Sequence, residues 1–180
     1  FKQCLSMAVV PPPAIVCGGR MRPRFIASSL LKKPVWQAVG GFPDYRAAED
    51  RIFMERIEEQ GYGSKLNPKA TVIWDIPGDL KGVFRRFYSY SYHDLIAGRT
   101  RGWHLPVLRM YITALLCIGL ALAVSPLFII LPVTGFALRV IKKISINRLE
   151  PYFKLRYAPF YFIVTGFLIF FIDMAMFGGC

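Results

Sequence analysis

The chain has 180 residues, a formal net charge of +12 and 54% hydrophobic residues, and its mean hydropathy of +0.40 is high for an ordinary soluble domain. Its four cysteines, Cys4, Cys17, Cys117 and Cys180, show no metal-ligand spacing and no disulfide framework, so reduced thiols on the cytoplasmic side are expected. The basic charge has a sufficient cause beside a membrane, and nucleic acid is not an expected partner.

The first residues, Phe1-Lys2-Gln3, carry no charged region followed by an apolar leader. A truncated piece with sequence missing upstream is the expectation. Pro11-Pro12-Pro13 imposes an extended segment, and Gly18-Gly19 then leads into the alternating Arg20, Arg22 and Arg24. The run Phe25 to Leu31 reads as a buried strand. Pro34 opens a short helix carrying Val35, Trp36 and Val39, which Gly40-Gly41 ends and Phe42-Pro43-Asp44 turns away from. From Ala47 to Gln60 the pattern is helical, with Ile52, Phe53 and Ile57 on one face and Gly61 as the stop. Ala70 to Trp74 reads as a strand by its β-branched content, and Pro77-Gly78 breaks it. A second amphipathic stretch, Leu80 to about Ile96, turns Val83, Phe84, Phe87 and Tyr88 toward something apolar, and a basic turn from Arg99 to His104 follows.

Residues 110–138 and 157–172 contain no charged side chain. A hydrocarbon core asks for roughly 20 apolar helical residues. The first run would span about 43 Å as one helix, more than an upright crossing requires. Ser125-Pro126 lies near its middle, so two readings stand: a hairpin broken at Pro126, or one tilted, kinked span. Basic clusters flank the run. Lys81, Arg85, Arg86, Arg99, Arg101 and Arg109 stand against Asp94 alone, and Arg139, Lys142, Lys143, Arg148, Lys154 and Arg156 against Glu150. By the positive-inside rule both flanks face the cytoplasm and attract anionic membrane lipid. Asp173, near the end of the last apolar run, belongs either at the far interface or in a buried site. The domains expected are therefore a polar part, 1–106, and a membrane region, 107–180, of two or three helices at about 107–124, 126–142 and 157–178.

The stretch from Phe25 to Asp75 has an informative order: strand, short helix with Trp36, Val39-Gly40-Gly41-Phe42-Pro43, then Arg46-Ala47-Ala48-Glu49-Asp50 opening a helix that closes on Gly61-Tyr62. A carboxylate pair at a helix start has an ordinary explanation, because it interacts favourably with the helix dipole by about 0.3–1 kcal/mol. Taken in order, however, the run resembles the acceptor half of family 2 nucleotide-sugar glycosyltransferases of GT-A fold. In that family a Val-Gly-Gly-Phe turn precedes a Glu-Asp pair at the head of a helix, and a Gly-Tyr and a strand follow.

The resemblance covers about residues 25 to 106. It implies an α/β fold class, the C-terminal part of a GT-A nucleotide-sugar transferase domain, followed by transmembrane α-helices. It implies that Asp50 is the general base that deprotonates an acceptor hydroxyl for inverting attack on the anomeric carbon, with Glu49 orienting or hydrogen-bonding. A sugar hydroxyl is a poor nucleophile, which is why a positioned carboxylate is required. Gly41, Phe42, Ser29, Arg85 and Arg86 are the candidates for holding acceptor or pyrophosphate, although the family's Gln-x-x-Arg-Trp wording does not occur here. Asp44 is either a second carboxylate or a turn residue. His93 is the candidate metal ligand or else a surface histidine, and Tyr88, Tyr90 and Tyr92 belong equally to an interfacial aromatic belt. The implied cofactor is a divalent metal, Mg or Mn, bound mainly by an Asp-x-Asp half that this chain lacks, so the chain by itself is expected to be inactive.

The function that follows is a membrane-bound inverting glycosyltransferase, moving a sugar from a nucleotide-sugar donor to a lipid-linked or membrane-proximal glycan acceptor in cell-envelope synthesis. It would be a multi-pass protein of the cell membrane with its catalytic domain on the cytoplasmic side. The alternative is a non-catalytic membrane adaptor binding anionic lipid or partner helices, which accounts for the charge clusters but not for the ordered Gly-Gly-Phe and Glu-Asp segments. A transporter subunit, suggested by Asp173, has only that one acid behind it.

Overall fold

The computed structural model describes residues 1–10, 14–16, 19–21, 29–45, 48–63, 65, 67, 75–148 and 152–180. Two compact units divide the chain: Phe1–Val10 with Ile76–Cys180, and Pro11–Asp75. The first contains helices α1 (Lys2–Val9), α4 (Leu80–Ile96), α5 (His104–Ala123), α6 (Ile130–Ile146) and α7 (Ala158–Gly178). The second contains a short hairpin of β1 (Ala14–Val16) and β2 (Gly19–Met21) and helices α2 (Lys33–Ala38) and α3 (Glu49–Glu59).

The expected α/β class is overturned, because the described residues make an all-α protein apart from that hairpin. Its two three-residue strands pair antiparallel, Ala14 opposite Met21 and Val16 opposite Gly19, whereas an α/β domain needs long buried strands linked by helical crossovers. The expected strand from Phe25 fails where it can be followed. Ser29 and Leu30 lie outside any strand, and Leu30 is fully exposed rather than pointing into a core. Residues 25–28, like the expected strand Ala70–Trp74 and the prolines 11–13, lie outside the described residues.

In the first unit α7 is the central helix. Leu168, Ile169, Ile172 and Met176 of α7 share a core with Leu5 and Met7 of α1, Val83 of α4 and Val140 of α6. Each boundary has a local cause. Asp79 caps α4 by accepting a hydrogen bond from the Gly82 N–H at 2.8 Å, satisfying one of the donors that a helix start leaves unpaired. α5 stops at Ala123 because Pro126 has no N–H to continue the ladder and pushes Ser125 into extended backbone, φ −159° and ψ 131°. A short turn, Pro126–Ile129, then starts α6. The chain doubles back here, since Met110 near the start of α5 lies against Arg139 in the second half of α6. Of the two readings of the first apolar run, the structure has the hairpin.

Two segments, His104–Ala123 and Leu155–Gly178, are long and apolar enough to cross a membrane. The first is not the core helix of a soluble protein: Leu115 is 68% and Leu122 86% exposed. In water such a continuous apolar face would require a covering surface, and hydrocarbon supplies one.

Candidate functional site

In the second unit the site begins with α2. Pro34 starts it, and it ends where Gly40 and Gly41 both take left-handed backbone, φ +78° and +69°, a conformation that costs a residue with a Cβ about 1–2 kcal/mol. The Gly41 N–H donates to the Trp36 carbonyl at 3.0 Å, and the Trp36 ring lies against the Gly41 Cα. A Cβ on Gly41 would stand 2.8 Å from Trp36 Cζ2. The next residue, Phe42, sets its ring 4.5 Å from that of Phe53, which is fully buried in a cluster with Val39 and Ile57. The Gly-Gly-Phe turn is thus pinned from below by α2 and from the side by α3.

α3 starts in an uncommon way. Its cap residue, Ala48, is buried and left-handed, φ 72° and ψ −7°. It is the one non-glycine at positive φ among the described residues. Backbone held in that region tends to persist at functional positions, where the fold over-determines it. Glu49 and Asp50 follow as the first two helical residues.

Both side chains are half-buried, but their oxygens are used differently. Asp50 Oδ1 accepts the Arg51 N–H at 2.7 Å. Glu49 Oε2 is buried and accepts nothing, and a buried acceptor without a donor is destabilising by about 1–3 kcal/mol. The pair therefore has one oxygen fixed by the backbone and one enclosed without a donor. A carboxylate oxygen can orient an O–H and take its proton only where the hydroxyl reaches it. Gly41 contacts Trp36 of α2, and Phe42 packs on Phe53 of α3, the helix that Glu49 and Asp50 open. Ser29 is exposed and Leu31, two residues on, packs on the same cluster.

Arg85, Arg86 and His93 belong to the first unit, on α4. Both arginines are exposed. Tyr88, Tyr90 and Tyr92 are exposed along the same helix, Tyr88 stacked on Phe84 at 6.0 Å and Tyr92 edge-on to His93 at 5.3 Å. Among the described residues no group of three His, Cys, Asp or Glu is clustered to hold a metal ion. Among those residues His93 thus lacks the companion donors that metal ligation needs.

Three arrangements were not foreseen as such. Asp173 is buried, and Arg139 of α6 donates to both its oxygens, Nη2 to Oδ1 at 2.9 Å and Nη1 to Oδ2 at 2.5 Å. The Tyr111 hydroxyl of α5 adds a third hydrogen bond, to Oδ2 at 3.0 Å. His104, read as part of a basic turn, is buried with Nε2 at 2.7 Å from Ser91 Oγ. Trp36 was placed on a helix without its contact to Gly41. One usable signal was present: an acid in one apolar run and a basic residue at the edge of another find each other when both are removed from water.

Compared with known proteins, the chain matches no family model, no curated protein and no solved structure.

Proposed function

We propose that this chain is the acceptor-side, membrane-anchored part of an inverting glycosyltransferase, which moves a sugar from a nucleotide-sugar donor to a lipid-linked or membrane-proximal acceptor. The observation that carries the reading is the start of α3. A pinned Gly40-Gly41-Phe42 turn and a left-handed Ala48 lead into two half-buried carboxylates, one of which keeps an unpaired oxygen. A helix start used only for its dipole needs neither the strained Ala48 nor a bare buried acceptor.

In this reading the Asp50 carboxylate takes the proton of the acceptor hydroxyl, and the oxygen then attacks the anomeric carbon while the nucleotide diphosphate departs from the opposite face. Glu49 accepts a hydrogen bond from the acceptor and orients it. The developing charge on the leaving group calls for cationic groups. The two apolar helices hold the catalytic part at the cytoplasmic face of a cell membrane, where a lipid-borne acceptor is concentrated, with cell-envelope glycan or glycolipid as the product class.

The test is sugar transfer by the full-length protein in native-like membranes, wild type beside Asp50→Asn, across a panel of nucleotide sugars, scoring released nucleotide diphosphate and labelled lipid. Loss of transfer in a folded, inserted Asp50→Asn protein supports Asp50 as base. Unchanged transfer removes that assignment. If the wild type transfers from no donor, the exposed arginine and tyrosine face of α4 favours the adaptor that binds anionic lipid instead.

A further inference from the structure

The helical hairpin of α5 and α6 does not close on itself. Between the two helices, with Phe162 of α7 as a third wall, lies a cavity of about 710 Å³, within the range of about 300–1,000 Å³ typical of ligand sites. Its walls are almost entirely apolar: Met110, Ala114 and Cys117 from α5, Pro132 and Gly135 from α6. It opens because the facing residues are small. A Cβ added to Gly135 would meet no atom within 4 Å.

The two ends of the cavity differ. Toward the turn its walls are Ile118, Ile129 and Leu131, whereas the other end reaches Met110 and Tyr111, beside the Arg139 guanidinium. Asp173 neutralises Arg139, but the charge does not end there. Lys143 lies one turn further along the same face of α6, half-buried, and its ammonium forms no ion pair with a described residue. Lys142 and Arg109 are exposed close by in sequence. A half-buried cation without a partner is costly, and an anion at this end would relieve the cost.

We infer that the groove between α5 and α6 takes one hydrocarbon chain of an anionic phospholipid, whose phosphate, with no choline to offset its charge, is held by Lys143 at the Arg139 end. The apolar cavity recognises the chain and the unpaired ammonium recognises the headgroup. Orientation follows from the polarity of the groove, with the tail directed toward the Pro126 turn. This inference stands apart from sugar transfer, and its test reads no transfer.

The experiment uses the full-length protein in phosphatidylcholine vesicles carrying either phosphatidic acid or phosphatidylcholine with a photoactivatable acyl chain, with cross-linked peptides mapped by mass spectrometry. Label from phosphatidic acid should concentrate on residues 110–118 and 131–137, about fivefold over the phosphatidylcholine probe, the ratio one basic residue gives near an anionic headgroup. Lys143→Gln should abolish that preference while leaving chain labelling in the groove, and Gly135→Leu should remove groove labelling for both probes. Phosphatidylcholine also has a phosphate but no net charge, so equal labelling by both probes in the wild type overturns the anionic-headgroup assignment. Groove labelling that persists in Gly135→Leu means ordinary surrounding lipid and overturns the site itself. Should Gly135→Leu disturb the fold, seen as a changed labelling pattern along α7, the Lys143→Gln comparison decides alone.

Discussion

Arg139 and Asp173, 34 residues apart, meet in a two-pronged ion pair that joins α6 to α7, with the carboxylate 1% exposed. Two charges removed from water hold each other only while both are present, so the pair is a stronger constraint on helix placement than on net stability. Removing one member leaves the other bare. Asp173→Ala and Arg139→Ala should each destabilise the helical unit by about 3–5 kcal/mol, and an apolar double replacement, Arg139→Met with Asp173→Leu, should recover most of it. Thermal unfolding of the three variants beside the wild type in one detergent checks this. Single variants as stable as wild type would mean that water or lipid headgroups already solvate the pair.

Gly166 packs against α6, and a Cβ there would come 3.4 Å from Val140 Cγ2 and 3.7 Å from Phe136 Cε1. Those are ordinary contact distances, so Gly166→Ala should be nearly neutral. Gly166→Ile has no room and should force α6 from α7, costing about 1–3 kcal/mol as over-packing does. The contrast between the two substitutions, read by unfolding midpoint, is the measurement. Equal effects would sink the close-packing account.

Gly40 and Gly41 separate two costs that usually occur together. Both have positive φ, but only at Gly41 would a new Cβ strike the Trp36 ring. Gly40→Ala should cost about 1–2 kcal/mol for backbone alone. Gly41→Ala should cost more and displace the indole. Trp36 fluorescence, with Trp74 and Trp103 changed to Phe, should shift toward longer wavelength for Gly41→Ala only.

Ser91 and His104 share a buried hydrogen bond of 2.7 Å between α4 and α5, and His104 Nδ1 has no partner. Ser91→Ala would leave both ring nitrogens bare, at a cost of about 1–3 kcal/mol. A double-mutant cycle with His104→Phe should return a coupling of about 1 kcal/mol. Zero coupling would show that the two side chains are neighbours without being bonded.

Much of the local structure is legible in residue order. The spacing of Phe53 and Ile57 describes the buried face of α3, and Gly61, at φ +76°, ends it in the expected way, with the Tyr62 N–H returning to the Ile57 carbonyl. Pro126 marks a break that any proline in an apolar run would impose, and the length of the uncharged runs announces helices able to cross a membrane. The α/β class was not legible: it came from the resemblance to GT-A transferases, supported by short runs read as strands, whose conformation is decided by what packs on them. Leu30 illustrates the failure: apolar in a promising run, it pairs with no strand among the described residues and stays exposed.

The sequence alone determined α2 to α7 to within a few residues, but not α1, whose Leu5 and Met7 reach the core; it also determined the charge placement and the carboxylate pair at the head of α3, since each depends on interactions reaching no further than a turn or two along the chain. Only the tertiary structure decided that Asp173 faces Arg139, that Trp36 lies under Gly41, that Ser91 meets His104 and that α5 and α6 leave a groove between them. Those relations depend on which faces pack together, and a face finds its partner through burial and shape, which leave no periodic mark in the order of residues.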